Sequence, residues 1–192
     1  MDNNFYTNEE IKKIGFKHIG VNVLLSRKAS IYGPSNISIG SNVRIDDFCI
    51  LSGKIEIGDY VHIAPYTALT GGTAGIFISD FVNLSRKIEI FAISDDFTGE
   101  TLNNPMVPDK YKNMTNAPVF IRKHVLMGPG SVVLPGVELS EGTLIGAMSF
   151  VNKSTIAWKV YAGIPAKPIK DRKKDSLKLE QEFLREKGKL RE

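Results

Sequence analysis

Three histidines, the adjacent aspartates Asp95 and Asp96, and a single cysteine are the side chains in this sequence best suited to move a proton or attack a carbonyl. His62 is the best placed of them. It stands in Tyr60-Val61-His62-Ile63-Ala64-Pro65-Tyr66, an imidazole with an aromatic residue on either side, and imidazole is the side chain suited to general-base work near neutral pH. Asp95 and Asp96 lie at the start of a long polar stretch, in Phe91-Ala92-Ile93-Ser94-Asp95-Asp96-Phe97-Thr98-Gly99-Glu100. Adjacent carboxylates beside aromatics can be general bases or can hold a cationic amine; the competing reading is an Asp-rich turn that caps a strand end. His124 is expected at a solvated corner, and His18 near one end of the fold with no partner.

What positions these groups is a beat of six. Eighteen aliphatic residues fall into six groups of three: Ile19, Leu25, Ile31; Ile39, Ile45, Leu51; Ile57, Ile63, Leu69; Ile78, Leu84, Ile90; Ile121, Met127, Val133; Leu139, Ile145, Val151. Four places after most of them comes a small or β-branched residue, such as Val43, Cys49, Val61, Thr67, Ser131 or Ser149. Six fits neither the 3.6-residue turn of a helix nor plain strand alternation. It fits short strands joined by corners, each with one large and one small residue pointing inward. A repeat of this size implies a stacked parallel β-helix of about six triangular coils, an all-β fold. Cys49 then falls inside, as a small core residue rather than a nucleophile.

Two extra residues separate Ile31 from Ile39, three separate Leu69 from Ile78, and twenty-five separate Ile90 from Ile121. Every insertion follows the third beat of its coil, so all should leave the prism at one corner. Insertions gathered on one side of a solenoid usually mark its binding side, and a loop as long as 91–118 is rarely idle. His62 is expected to end the first face of coil three, with Arg44 one coil below and Asn83 one coil above. Asp95 leaves the end of a third face, and a face of six residues spans about 20 Å. The two should not meet within one chain, whereas across a threefold interface a corner of one prism can face another corner of its neighbour.

Composition narrows the partners. The net charge is +4, and the segment from Lys167 onward holds ten Lys or Arg and six Asp or Glu, leaving fifteen of each before it. A formally neutral body argues against nucleic-acid binding. No apolar run approaches spanning length, and a polar start with one cysteine points to a cytoplasmic protein with no membrane insertion. The organisation expected is a cap helix over 1–17, opened by the capping-box spacing Thr7-Asn8-Glu9-Glu10, then the β-helix over 18–168. A basic helix and tail follow over 169–192, with Leu177, Leu179, Phe183 and Leu184 as a narrow apolar stripe after the break at Pro165 and Pro168. No metal is expected, since zinc between β-helix subunits needs three converging histidines.

Ile-Gly-Asp-Tyr-Val-His (57–62), Ile-Gly-Ala-Met-Ser-Phe-Val-Asn-Lys (145–153) and Tyr-Ala-Gly-Ile-Pro-Ala-Lys (161–167) carry a resemblance. Over residues from about 15 to 172 the chain resembles the left-handed parallel β-helix acyltransferases of the hexapeptide-repeat superfamily, in the galactoside and maltose acetyltransferase branch. Arg44-Ile45-Asp46-Asp47-Phe48, Val61-His62-Ile63-Ala64 and Ser94-Asp95-Asp96 make it similar to the enzymes of surface-polysaccharide (O-antigen or capsule) synthesis that N-acetylate dTDP-4-amino-4,6-dideoxyglucose. The resemblance implies acetyl-CoA, a homotrimer and active sites between subunits. It implies His62, Asp95 and Asp96 as catalytic candidates, and Arg44, Tyr66, Asn83 and Ser94 as acceptor contacts. Pantetheine would lie near Gly128, Gly146 and Ala147, with Lys153, Lys167, Lys170 and Arg172 toward the CoA phosphates.

One departure bears on the acceptor. Galactoside acetyltransferases carry a catalytic histidine where this chain has Asp95. A hydroxyl needs a base during attack, whereas a neutral amine is already nucleophilic, so the change favours an amine acceptor held by a charge-assisted hydrogen bond. O-acetylation of a polysaccharide sugar is the alternative within enzymes, and a catalytically silent scaffold the alternative outside them.

Overall fold

The computed structural model describes residues 4–188. Three parallel sheets form the walls of a triangular prism. The first runs from His18–Ile19 through Ile37–Ile39, Ile55–Ile57, Ile76–Ile78 and Val119–Ile121 to Glu138–Leu139. The second begins at Leu24–Leu25 and the third at Ser30–Tyr32. Of the eighteen beats, sixteen are buried and Ile19 and Ile31, in the first coil, are half-buried. Burying such a side chain is worth about 1.5–3 kcal/mol, so the beat is also the main source of stability.

The smaller inward positions are polar in places, and each polar group is satisfied. Thr67 Oγ1 donates to the Ser85 carbonyl at 3.0 Å, and Ser131 Oγ reaches the carbonyls of Gly128 and Gly146 at 2.9 Å each. The Cys49 thiol meets the Ala64 carbonyl at 3.2 Å, and burial pushes it up to about 11, which fits a core residue and not a nucleophile.

The corners carry a feature invisible in the beat. Tyr60, Phe81 and His124 adopt the left-handed conformation at the first corner, with φ of 57°, 58° and 61°; Phe48 and Tyr66 do so at the second, with φ of 60° and 64°. Such a φ costs a bulky residue about 1–2 kcal/mol. Stacking along the prism offsets that cost: Tyr60 on Phe81 at 4.9 Å, Phe81 on His124 at 5.5 Å, and Phe48 on Tyr66 at 5.0 Å between ring centres.

Both ends are closed. Helix α1 (Asn8–Ile14) has the expected capping box, and its Ile11 is buried over the first coil. At the other end the chain departs from expectation: Lys167–Asp171 is a strand, antiparallel to Lys159–Ala162 in the second sheet, so the boundary placed at 168 falls inside a strand. Helix α2 (Asp175–Glu186) then folds back over the first corner, where Phe183 meets Tyr60 edge-on at 5.2 Å. Leu177, Phe183 and Leu184 are half-buried there, but Leu179 remains exposed. His124 is not the solvated turn residue expected. Its side chain is 9% exposed and its Nε2 lies 2.7 Å from Glu180 Oε2 on α2.

The long insertion leaves at the third corner, as the spacing of the beats requires. Its base is a two-stranded antiparallel ribbon, Ile93–Ser94 against Thr115–Asn116, and the Asn116 side chain ties that ribbon to Thr73 and to the Ala74 N–H.

Candidate active site

His62 opens the strand His62–Ile63 in the second sheet, not the end of the first face. The strand stands one corner further along because the corner residue Tyr60 turns the chain before it. The register puts Arg44 directly below and Asn83 directly above, as the stacking predicts. The imidazole is held on both sides: Nε2 is 2.8 Å from Asp46 Oδ2, and Nδ1 is 3.1 Å from Asn83 Oδ1. Arg44 Nε donates to the other oxygen of Asp46 at 2.7 Å. Arg44, Asp46 and His62 line an open hollow of about 550 Å³ with Asn42, Tyr60 and Val61. Asp46 is 8% exposed, a buried carboxylate neutralised by two cation-capable neighbours. Sequence reasoning passed over it; two-residue spacing from Arg44, which puts both on the outer side of the sheet, was the available signal.

Asp95 is elsewhere. A second hollow, about 650 Å³, lies under the arch of the long loop against the third sheet, lined by Thr70, Phe91, Ile93, Phe97, Met114 and Leu134 among others. Ser94, Asp95 and Lys112 supply charge and polarity to these apolar walls. The Asp95 carboxylate has no hydrogen bond or ion pair among the described residues. Asp96 differs. Its two oxygens accept from the Thr98 N–H at 2.8 Å, the Thr98 hydroxyl at 3.0 Å and the Thr101 hydroxyl at 2.8 Å, and these bonds hold its carboxyl below the usual range. Asp96 is therefore built as the cap of a turn, and Asp95 is the carboxylate left open to a ligand. Lys112, whose side chain is 7% exposed, pairs with the exposed Asp109 at 2.8 Å. The His62 and Asp95 hollows share no lining residue, in keeping with two corners of one prism. Tyr66, four residues beyond His62, is in neither lining; it stacks on Phe48 at the second corner.

On the second sheet, beside the His62 column, backbone pairing runs upward through Asp46, Ala64, Ser85, Gly128 and Gly146. The two glycines are needed by the coils themselves. A Cβ on Gly128 would come within 2.5 Å of Ala147 N, and one on Gly146 within 2.9 Å of Ala162 Cβ. Ala147 is exposed beside them, Lys167 pairs with Ala162 next to Gly146, and Lys153 and Lys170 are exposed elsewhere on the surface. Arg172 is half-buried and already engaged: its guanidinium donates to the carbonyls of His124 at 2.7 Å and Gly142 at 3.0 Å. Another group absent from the sequence reading is Glu89, facing out of the third sheet, whose carboxyl burial pushes above the usual range. Among the described residues no cluster of His, Cys, Asp and Glu could hold a metal ion, and no helix is long and apolar enough to cross a membrane.

The family model for bacterial transferase hexapeptide (six repeats) matches residues 36–71. A dTDP-4-amino-4,6-dideoxy-D-glucose acyltransferase of Escherichia coli is 49% identical over 177 residues, covering 91% of this chain and 92% of that protein. The chain belongs to the hexapeptide-repeat transferase family. As a hexapeptide-repeat transferase with relatives at this level of identity, it is an acyltransferase. The lipopolysaccharide O-acetyl transferase WbbJ of Escherichia coli K12, a putative one, is 30% identical over 73% of this chain and 71% of its own length. Among solved structures, the N-acyltransferase AntD of Bacillus cereus in complex with dTDP and 3-hydroxybutyryl-CoA superposes with a TM-score of 0.95 at 52% identity, covering 97% of this chain and 99% of that one. Another AntD structure holds dTDP-4-amino-4,6-dideoxyglucose and coenzyme A. A maltose O-acetyltransferase of Clostridium difficile shares the fold at 21% identity and a TM-score of 0.58.

Proposed function

We propose that this chain transfers the acetyl group of acetyl-CoA to the 4-amino group of dTDP-4-amino-4,6-dideoxyglucose, as a cytoplasmic homotrimer serving surface-polysaccharide synthesis. The observation that carries this reading is the unpartnered Asp95 carboxylate on the wall of an apolar hollow. An ammonium or amine is the group such a carboxylate holds, and apolar walls suit a sugar that has lost hydroxyls. AntD was solved with variants of a serine and of an aspartate ten positions further on. Ser85 and Asp95 stand at that spacing here, and the Ser85 hydroxyl has no hydrogen bond among the described residues. The separation of the His62 and Asp95 hollows supports sites assembled between subunits, where one chain supplies Asp95 and its neighbour the second-sheet face. Lys167, paired with Ala162 next to Gly146, and the exposed Lys153 and Lys170 serve the CoA phosphates.

Free-thiol release with acetyl-CoA tests the reading. dTDP-4-amino-4,6-dideoxyglucose should be turned over, and the 4-hydroxy sugar should be at least about a hundredfold poorer, since unpaired polar groups reject an analogue strongly. A 3-hydroxybutyryl-CoA arm decides acyl length. Equal rates with the hydroxy sugar would overturn the amine assignment.

A further inference from the structure

We propose that Asp46 is the positioning residue of a proton relay in which His62 Nδ1 is the working atom and Asn83 the group that covers it at rest. This rests on the acyl-transfer reading above. The geometry runs in one line across three stacked coils. Arg44 Nε donates to Asp46 Oδ1 at 2.7 Å, Asp46 Oδ2 lies 2.8 Å from His62 Nε2, and Asn83 Oδ1 lies 3.1 Å from His62 Nδ1.

Asp46 is buried and acceptor-only when ionised, so the nitrogen facing it carries the proton. That fixes Nε2–H and leaves Nδ1 as the atom that gains or gives one. Asn83 presents its carbonyl oxygen to a protonated Nδ1 and, after a half-turn of the amide, its NH2 to an unprotonated one. Asn83 therefore matches both states of the ring. It is also exposed, whereas Asp46 is not, so a substrate displaces Asn83 and leaves Asp46 in place. The His62 side chain is 41% exposed on the open hollow. The charged and titratable groups around the ring are Arg44 and Asp46 from the coil below and Tyr60 at its own corner; the coil above supplies neutral Asn83.

In the reaction the neutral amine of the sugar attacks the thioester carbonyl. The C–N bond forms, the amine proton passes to His62 Nδ1, the C–S bond breaks, and that proton leaves with the sulfur as the free thiol of CoA. No other reactant is needed. Asp46 touches neither substrate. It holds the ring in one tautomer and stabilises the imidazolium between the two transfers, while Arg44 keeps the carboxylate aligned.

The test pairs kinetics with a readout that needs no turnover. Asp46→Asn should lower kcat about a hundredfold with KM for acetyl-CoA unchanged. His62→Gln should do the same or more, and the double variant should be no worse than His62→Gln alone. Ring 15N shifts of His62 should show the Nε2–H tautomer in the unsubstituted protein and lose it in Asp46→Asn, whose amide can donate to Nε2. Thermal midpoints check folding, and Asp46→Glu should recover part of the rate. Multiplying losses in the double variant, or an unchanged tautomer in Asp46→Asn, would overturn the proposal. Failure of the unsubstituted protein to acylate any dTDP-amino sugar sinks the functional reading instead, and the tautomer result still decides whether Asp46 positions the ring.

Discussion

Glu180 and His124, fifty-six residues apart, meet at 2.7 Å with both side chains 9% exposed. The contact joins the last helix to the first corner of the prism, and Lys123 binds the other oxygen of the same carboxylate. Above them the Arg172 guanidinium ties the strand before α2 to the His124 and Gly142 carbonyls. The terminal helix is thus clamped to the coils that carry His62, through Phe183 on Tyr60.

A pH dependence follows. Burial alone would raise the Glu180 carboxyl, but Lys123 and His124 more than reverse it and hold it below the ordinary range. A lowered carboxyl contributes stability that is full above its unfolded value, near 4.3, and is lost as pH falls through the folded value. Glu180→Gln should cost about 1.5–3 kcal/mol at neutral pH, the range for a hydrogen bond to a charged group. The cost should shrink below pH 4 as the native carboxyl also takes up its proton. Chemical denaturation of both proteins at several pH values checks this; a gap that widens toward acid refutes it.

Asp95 and Asp96 should separate by phenotype. Asp95→Asn removes a charge that nothing in the fold uses, so stability should hold while kcat/KM for the amino sugar drops ten- to a hundredfold, about 1.5–3 kcal/mol. Asp96→Ala breaks three bonds within a turn, so the loop should become easier to cleave, with acceptor KM rising through loss of loop order. Limited proteolysis beside steady-state kinetics distinguishes them.

How much of this was legible follows from how local each cause is. The six-beat sets inward and outward faces residue by residue, so the core, the coil count and the column Arg44, His62, Asn83 could be read directly. The aromatic corners could not. Phe48, Tyr60 and Phe81 sit at φ values such residues avoid, and the stacking that offsets the strain comes from the next coil, not from sequence neighbours. His124 looked solvated because its cover, α2, arrives from far along the chain. Asp46 was hidden for a similar reason: its partners are one nearby arginine and a histidine one coil away.

The basic tail should divide into two kinds of residue. Lys167 is exposed with no ion pair among the described residues; Lys167→Ala should raise KM for acetyl-CoA a few-fold and leave kcat unchanged. Arg172→Ala strips two carbonyls of their donor and should lower the thermal midpoint by several degrees, about 1.5–3 kcal/mol in a chain of this size. A fall in CoA affinity without loss of stability in Arg172→Ala would return that residue to the phosphate site.

The last prediction concerns assembly. His62 and Asp95 line hollows with no residue in common, so a site that needs both must take them from different chains. His62→Ala homotrimers should be nearly inactive, and Asp95→Asn homotrimers about ten- to a hundredfold weaker on the amino sugar. In a mixed trimer, a boundary between a chain with intact His62 and a chain with intact Asp95 restores one complete site. With random exchange of equal amounts, about a quarter of the directed boundaries are complete, since each of the two positions is intact half the time. The expected recovery is therefore on the order of a quarter of full activity, well above the residual rate if each substitution costs a hundredfold. Mass spectrometry of the assemblies verifies exchange. Mixed trimers that stay inactive would show that the two residues do not share a site.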